Sequence, residues 1–245
     1  EQFVSGWKLP IGIEQAGTTN DYTAIGMHPD ASAGYDGFDN VNPPRFINYL
    51  EARFSHDEHL AKHFAADIVP LGDEFEWEFT VASNLPGNAI FTWDFPEGNE
   101  FAWDLYLYDV ALARPVNMRT ARSYTFNPSE SSTFKVYYGK NAAREAMPQI
   151  VVLGTAYPNP SQGAVNIPLS LPEEGGNAQQ VEVVMIDAVG RTLGKVAAGT
   201  FPSGYHELLI NGTKYVNGTG LYTYQITVAN DKGKEVLQGK VMIKQ

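Results

Sequence analysis

The run Phe54-Ser55-His56-Asp57-Glu58-His59-Leu60-Ala61-Lys62-His63 carries the densest set of metal-ligating side chains in the sequence. His59 and His63 would share one face of a helix, and His56 would close a zinc site. The order His-Glu-x-x-His is missing, and the flanking residues do not assure a helix, so an exposed polar loop accounts for the run more simply. Calcium has a second candidate: Asp30, Asp36 and Asp39 gather with Asn40 and Asn42 around glycines that let a loop wrap an oxygen-lined site. Their spacing is not that of an EF-hand loop, and Asp, Asn and Gly also serve simply as turn formers. For hydrolysis, Asp94, Glu97, Glu100, Asp104 and Asp109 supply carboxylates, but nothing in their spacing singles out a facing pair. No nucleophile elbow, Walker loop or dinucleotide fingerprint is present, and no catalytic residue is assigned. Trp7, Trp77, Trp93 and Trp103 raise sugar stacking instead. Trp77 and Trp93 fall in phase with apolar neighbours and read as core, which leaves Trp103, beside Asp104, as the candidate glycan platform.

The elements that must position these groups are strands. Charged residues make up only 18% of the 245, while 23 Gly and 15 Pro punctuate the chain, the composition of short strands joined by many turns. With 43% hydrophobic residues the chain can build well-packed cores. There is no cysteine, which rules out disulfides and thiolate metal sites and leaves the redox compartment unread. No apolar run reaches the roughly 18 residues needed to cross a bilayer as a helix. The chain opens at Glu1 without a basic-then-apolar leader, and is expected to be a mature form or a fragment.

Charge divides the sequence. Residues 1–150 hold 10 Lys+Arg against 21 Asp+Glu, whereas residues 151–245 hold 7 of each, so the whole net charge of −11 belongs to the first part. So acidic a surface repels nucleic-acid phosphates and anionic headgroups, and leaves divalent cations compatible. Near Gly139 to Pro148 the apolar alternation of Phe134, Val136 and Tyr138 also ends, which puts a boundary there and domains at 1–145 and 150–245.

Within the first domain, Glu74 to Val81 sets Phe75, Trp77, Phe79 and Val81 on one face and Glu74, Glu76, Glu78 and Thr80 on the other, a half-buried strand. Further strands are expected over Trp7 to Ile13, Tyr22 to Met27, Ala89 to Trp93, Trp103 to Ala113, Ser123 to Phe126 and Phe134 to Tyr138. The sum is a jelly-roll-like sandwich. Arg45 to Phe64, with Phe46, Leu50 and Phe54 at i, i+4 spacing, is expected to be a loop with one helical turn. In the second domain Val181, Val183 and Met185, then Tyr222, Tyr224, Ile226 and Val228, alternate with their neighbours, and turn signals fall at Asp187 to Gly190 and Asn230 to Gly233. An Ig-like sandwich of seven strands fits.

Three segments of this second domain resemble, in order and spacing, the type A C-terminal sorting domains of Bacteroidetes type IX secretion cargo. They are Tyr157-Pro158-Asn159-Pro160 with Gly163; Val183 to Arg191, containing Asp187 and Gly190; and Gly220-Leu221-Tyr222-Thr223-Tyr224 with the terminal Gly239-Lys240-Val241-Met242-Ile243-Lys244-Gln245. Each segment has a plain physical reading too: Pro158 and Pro160 stiffen the chain, Gly190 supplies a positive φ, and Tyr222 and Tyr224 fill a core. The resemblance covers about residues 150–245. It implies an exported, non-enzymatic protein of the cell surface, handled by an outer-membrane β-barrel shuttle and a sortase that attaches cargo to lipopolysaccharide or releases it. Val236 to Gln245, with Lys240 and Lys244, would engage that machinery, and any cut would fall between Gly139 and Gly154. The first domain is similar to surface sandwich modules that precede such domains, through Trp7-Lys8-Leu9-Pro10, Gly26 to Ala31, Gly34 to Asp39, Pro43-Pro44 and Ala66-Asp67-Ile68, and that similarity implies no catalysis.

The expectation is therefore an all-β protein of two β-sandwich domains, secreted or displayed at the outer membrane, with no cofactor beyond a structural calcium. Two alternatives differ in class: a carbohydrate-binding accessory module of a larger secreted enzyme, and a structural subunit of a surface assembly.

Overall fold

The computed structural model describes residues 6–56, 63–95, 103–173, 178–216, 218–230 and 233–244. It is all-β and divides into two compact units, one comprising residues 1–111 and 115–146, the other residues 112–114 and 147–245. His59, Glu97, Glu100, Gln245 and the turn residues Asp231 and Lys232 lie outside the described residues.

Strands of the first unit are β1 (Trp7–Gln15), β2 (Thr18–Asn20), β3 (Ala24–His28), β4 (Leu50–Ser55), β5 (His63–Phe64), β6 (Ala66–Pro70), β7 (Glu74–Ser83), β8 (Ala89–Trp93), β9 (Asp104–Asp109), β10 (Arg114–Asn117), β11 (Ser123–Phe126) and β12 (Thr133–Gly139), followed by the single-turn helix α1 (Ala142–Glu145). One sheet runs β11-β8-β1-β3-β6 with β2 beside β1, the other β10-β9-β12-β7-β4-β5. Every described pairing in them is antiparallel except β3 with β6, which is parallel.

Alternation decides which side chains face inward. In β7, Trp77, Phe79 and Val81 are buried while Glu74, Glu76, Glu78 and Thr80 are exposed, as the period-2 pattern requires. The two sheets close over one aromatic core, in which Trp7 meets Trp77 at 5.7 Å between ring centroids, Phe91 meets Phe134 at 5.0 Å and Phe79 meets Phe91 at 5.9 Å. Each such buried ring contributes about 1.5–3 kcal/mol by its removal from water.

The segment expected to be a loop with a helical turn holds β4 and β5 instead. Phe46, Leu50 and Phe54 are spaced by four, which suits one helix face but equally one strand face, since four is even. Leu50, Ala52 and Phe54 all point inward on β4, whereas Phe46 and Ile47 remain exposed.

Among the described residues, seven strands build the second unit: β13 (Val152–Leu153), β14 (Ala164–Leu171), β15 (Gln179–Ile186), β16 (Thr192–Phe201), β17 (Gly204–Asn211), β18 (Gly220–Asn230) and β19 (Gly233–Ile243). They form sheets ordered β13-β14-β17 and β16-β15-β18-β19. The facing sides of both sheets, Ile167, Leu169 and Ile210 from one and Val183, Met185, Tyr224, Ile226 and Val241 from the other, make a single apolar core. Among the described residues no helix is long and apolar enough to cross a membrane.

Candidate functional site

Residues far apart in sequence converge at one end of the four-stranded sheet in the second unit. Strand β15 ends at Ile186, opposite Thr223, and β18 begins at Gly220, opposite Ile243 of β19. The β15–β16 turn, the start of β18 and the end of β19 are therefore neighbours. At the turn, the Asp187 carboxylate accepts from the backbone N–H of Val189 (3.0 Å) and of Arg191 (2.9 Å) and pairs with the Arg191 guanidinium at 2.8 Å. Gly190 follows at φ +86°, a conformation open to glycine and strained for other residues. The backbone N–H of Arg191 is the main reason the Asp187 carboxyl titrates below its ordinary range. A shallow groove lies between this turn and β18, lined by Asp187, Arg191, Leu193, Gly220, Leu221 and Tyr222.

Beyond β19 the segment Pro158-Asn159-Pro160-Ser161 covers the outer edge of the strand. Both proline peptides, Tyr157–Pro158 and Asn159–Pro160, are cis. The Asn159 carboxamide copies a strand's backbone: its Oδ1 accepts from Met242 N–H at 2.9 Å and its Nδ2 donates to the Lys240 carbonyl at 3.3 Å. Ser161 continues the pairing with its own backbone, donating to the Met242 carbonyl at 2.8 Å and accepting from Lys244 N–H at 2.7 Å. Ser161 and Ile243 form a parallel bridge. Lys240 and Lys244 themselves are exposed, while Val241 and Ile243 between them are fully buried. The seal stops at Lys240: among the described residues no strand pairs with the outer edge of Gly233 to Gln238, and Val236 on that stretch is half exposed.

In the first unit the two metal candidates are redistributed. Asp36 is occupied locally, accepting from Ser32 N–H at 2.6 Å and Phe38 N–H at 2.8 Å. Burial acts upward on its carboxyl, but those amides outweigh it and hold Asp36 below the ordinary range. Asp30 is exposed beside His28. Asp39 turns inward, where its Oδ1 accepts from Ile68 N–H at 2.9 Å and its Oδ2 from Asp36 N–H at 3.0 Å. There it meets His56, just past the end of β4, and Asp67 of β6; one ligand atom from each of the three lies within 4.8 Å of the others. His63, by contrast, sits exposed on β5 outside this group. The ring of Phe64 stands edge-on to His56 at 5.1 Å. Burial pushes the Asp67 carboxyl up to about 6, opposed by His56, which lies 3.5 Å away, and reinforced by Asp39 and Asp36. Nothing local in the sequence marks Asp67 as a ligand, because its partners come from distant stretches of chain, the loop at Asp39 and the residue after β4.

The remaining candidates divide simply. Asp109 is fully buried and accepts from the Tyr124 hydroxyl at 2.8 Å, a structural arrangement. Asp104 pairs with Arg119 across 3.7 Å at the surface, and Asp94 is exposed. Trp7, Trp77 and Trp93 are core residues. Trp103 packs against that core with one side and donates from its indole to Asp73 at 3.4 Å, so its ring is half-buried rather than an open platform. Compared with the models of known protein families the chain matches none, and no curated protein matches it.

Proposed function

We propose that the second unit is the address of an exported cell-surface protein, a sorting domain of the type IX kind, and that the first unit is its non-enzymatic cargo module. One observation supports this reading above the others. The three sequence segments that resemble such domains, separated by up to about 80 residues, share one end of one sheet, and two of them are joined directly by the bonds from Asn159 and Ser161 to β19. That end presents a turn, a groove and two exposed lysines on a fixed frame, the kind of surface a secretion apparatus reads without unfolding its cargo. The half-open outer edge of β19 adds backbone donors and acceptors that a β-barrel shuttle or a sortase would engage by strand pairing.

On this reading the protein resides in the medium or at the outer membrane, its partners are the shuttle and the sortase, and lipopolysaccharide is the acceptor where it stays attached. The test is a fusion of residues 150–245 to a fluorescent reporter behind a signal peptide, in a bacterium with the type IX machinery. Truncating Val236 to Gln245 also removes Val241 and Ile243 from the core, so the informative comparison is Lys240→Glu with Lys244→Glu, which alters only exposed side chains. Delivery of the parent fusion that falls in the double variant supports the address; periplasmic retention of the parent fusion refutes it.

A further inference from the structure

We infer that Asp39, His56 and Asp67 form a binding site for one divalent transition-metal ion, with zinc as its representative. Three separate pieces of chain supply the ligand atoms, which all lie within 4.8 Å of one another, and the His56–Asp67 pair, at 3.5 Å, already has about the 3.4 Å separation of two ligands on one tetrahedral ion. His56 is only 8% exposed and Asp39 7%, so this is no chance grouping of surface charges.

Charge argues for a cation. Two carboxylates held together away from water repel each other and lose hydration, and such pairs persist when they are protonated, matched by a positive group or joined by a metal. One imidazole, if protonated, answers one carboxylate and leaves the other. A divalent ion answers both and takes the neutral imidazole nitrogen as a third ligand.

Orientation is fixed in advance. The backbone N–H groups of Ile68 and Asp36 each hold one oxygen of Asp39, the outer hydrogen bonding that aims metal-ligating carboxylates. The pairing of Ser55 with His63 fixes the end of β4, and the Phe64 ring stands edge-on against the His56 ring at 5.1 Å, which restricts the imidazole's swing. Nitrogen among the ligands selects the ion: calcium and magnesium prefer an all-oxygen shell, whereas zinc and its first-row neighbours accept imidazole with carboxylate. Three protein ligands leave a fourth position for water.

This inference is independent of the sorting role. The full chain, freed of metal by a chelator, is titrated calorimetrically with Zn2+, and the metal kept after desalting is counted. One bound equivalent is expected, weakened at least about 10-fold by Asp67→Asn and by His56→Gln but not by His63→Ala. No bound zinc, or binding undiminished by the first two substitutions, overturns the site; calcium binding in place of zinc overturns the ion. Should either variant fail to fold, the parent chain decides alone: the ring 15N resonances of His56 shift on zinc addition if the site exists, and unmoved His56 resonances in the zinc-loaded chain overturn it.

Discussion

Gly239 of β19 stands directly opposite Tyr224 of β18, and the tyrosine ring lies across the space a side chain would need. A Cβ at Gly239 would fall 2.1 Å from the Tyr224 hydroxyl and 2.2 Å from its Cζ. Tyr224 is 1% exposed and cannot yield without disturbing the core it fills. The glycine and the tyrosine of the two terminal segments are thus one packing unit.

Gly239→Ala is therefore expected to destabilise the second unit by about 1–3 kcal/mol, the usual cost of overpacking. Denaturant unfolding of the chain measures it. A variant as stable as the parent would mean that the ring moves aside freely.

Asn159 makes a sharper case because its two bonds are separable. Asn159→Ala removes both, at about 1–2 kcal/mol, and amide exchange at Met242 should accelerate while Lys244, held by Ser161, stays protected. Asn159→Asp keeps the acceptor for Met242 and loses the donor to Lys240, so Met242 should remain slow. Equal exchange at Met242 in all three proteins would contradict this arrangement.

The turn at Asp187 carries a pH signature. Its carboxyl is held below the ordinary 3.8 chiefly by the Arg191 N–H, so the ionised form is favoured by folding. That stabilisation is present above the unfolded pKa and disappears as pH falls through the lower folded value. Asp187→Asn should accordingly be less stable than the parent at neutral pH, with the gap closing below about pH 3.8. Unfolding curves over a pH series check it, and a gap independent of pH would assign the turn's stability elsewhere.

Within the first core, Tyr124→Phe preserves volume but deprives the buried Asp109 carboxylate of a hydroxyl donor at 2.8 Å. A loss of about 1–3 kcal/mol is expected from thermal or denaturant unfolding. An unchanged stability would show that Asp109's other interactions suffice.

How much of this was legible in the sequence depended on range. The period-2 pattern of Glu74 to Val81 and of Tyr222 to Val228 marked strands that exist, because each side chain's direction follows from its own neighbours. Phe46, Leu50 and Phe54 misled, since a spacing of four serves helix and strand alike. Asp39 and His56 each stand out in the sequence, but in two different local clusters, Asp30 to Asn42 and Phe54 to His63. Only the assembly of the loop at Asp39 with β4 and β6 sets them beside Asp67, and no spacing in the chain encodes that meeting. Asn159 was visible as part of a motif, whereas its pairing with Lys240 and Met242, more than 80 residues later, needed the closed sheet.

Transport decides whether the second unit is an address. The full chain, placed behind a signal peptide, is expressed in a type IX-competent bacterium and in the same strain lacking the translocon, and the medium, cell surface and periplasm are assayed for it. The expected result is delivery to the surface or medium in the first strain and periplasmic accumulation in the second. Equal distribution in the two strains would contradict the sorting role and leave the second unit a sandwich without it.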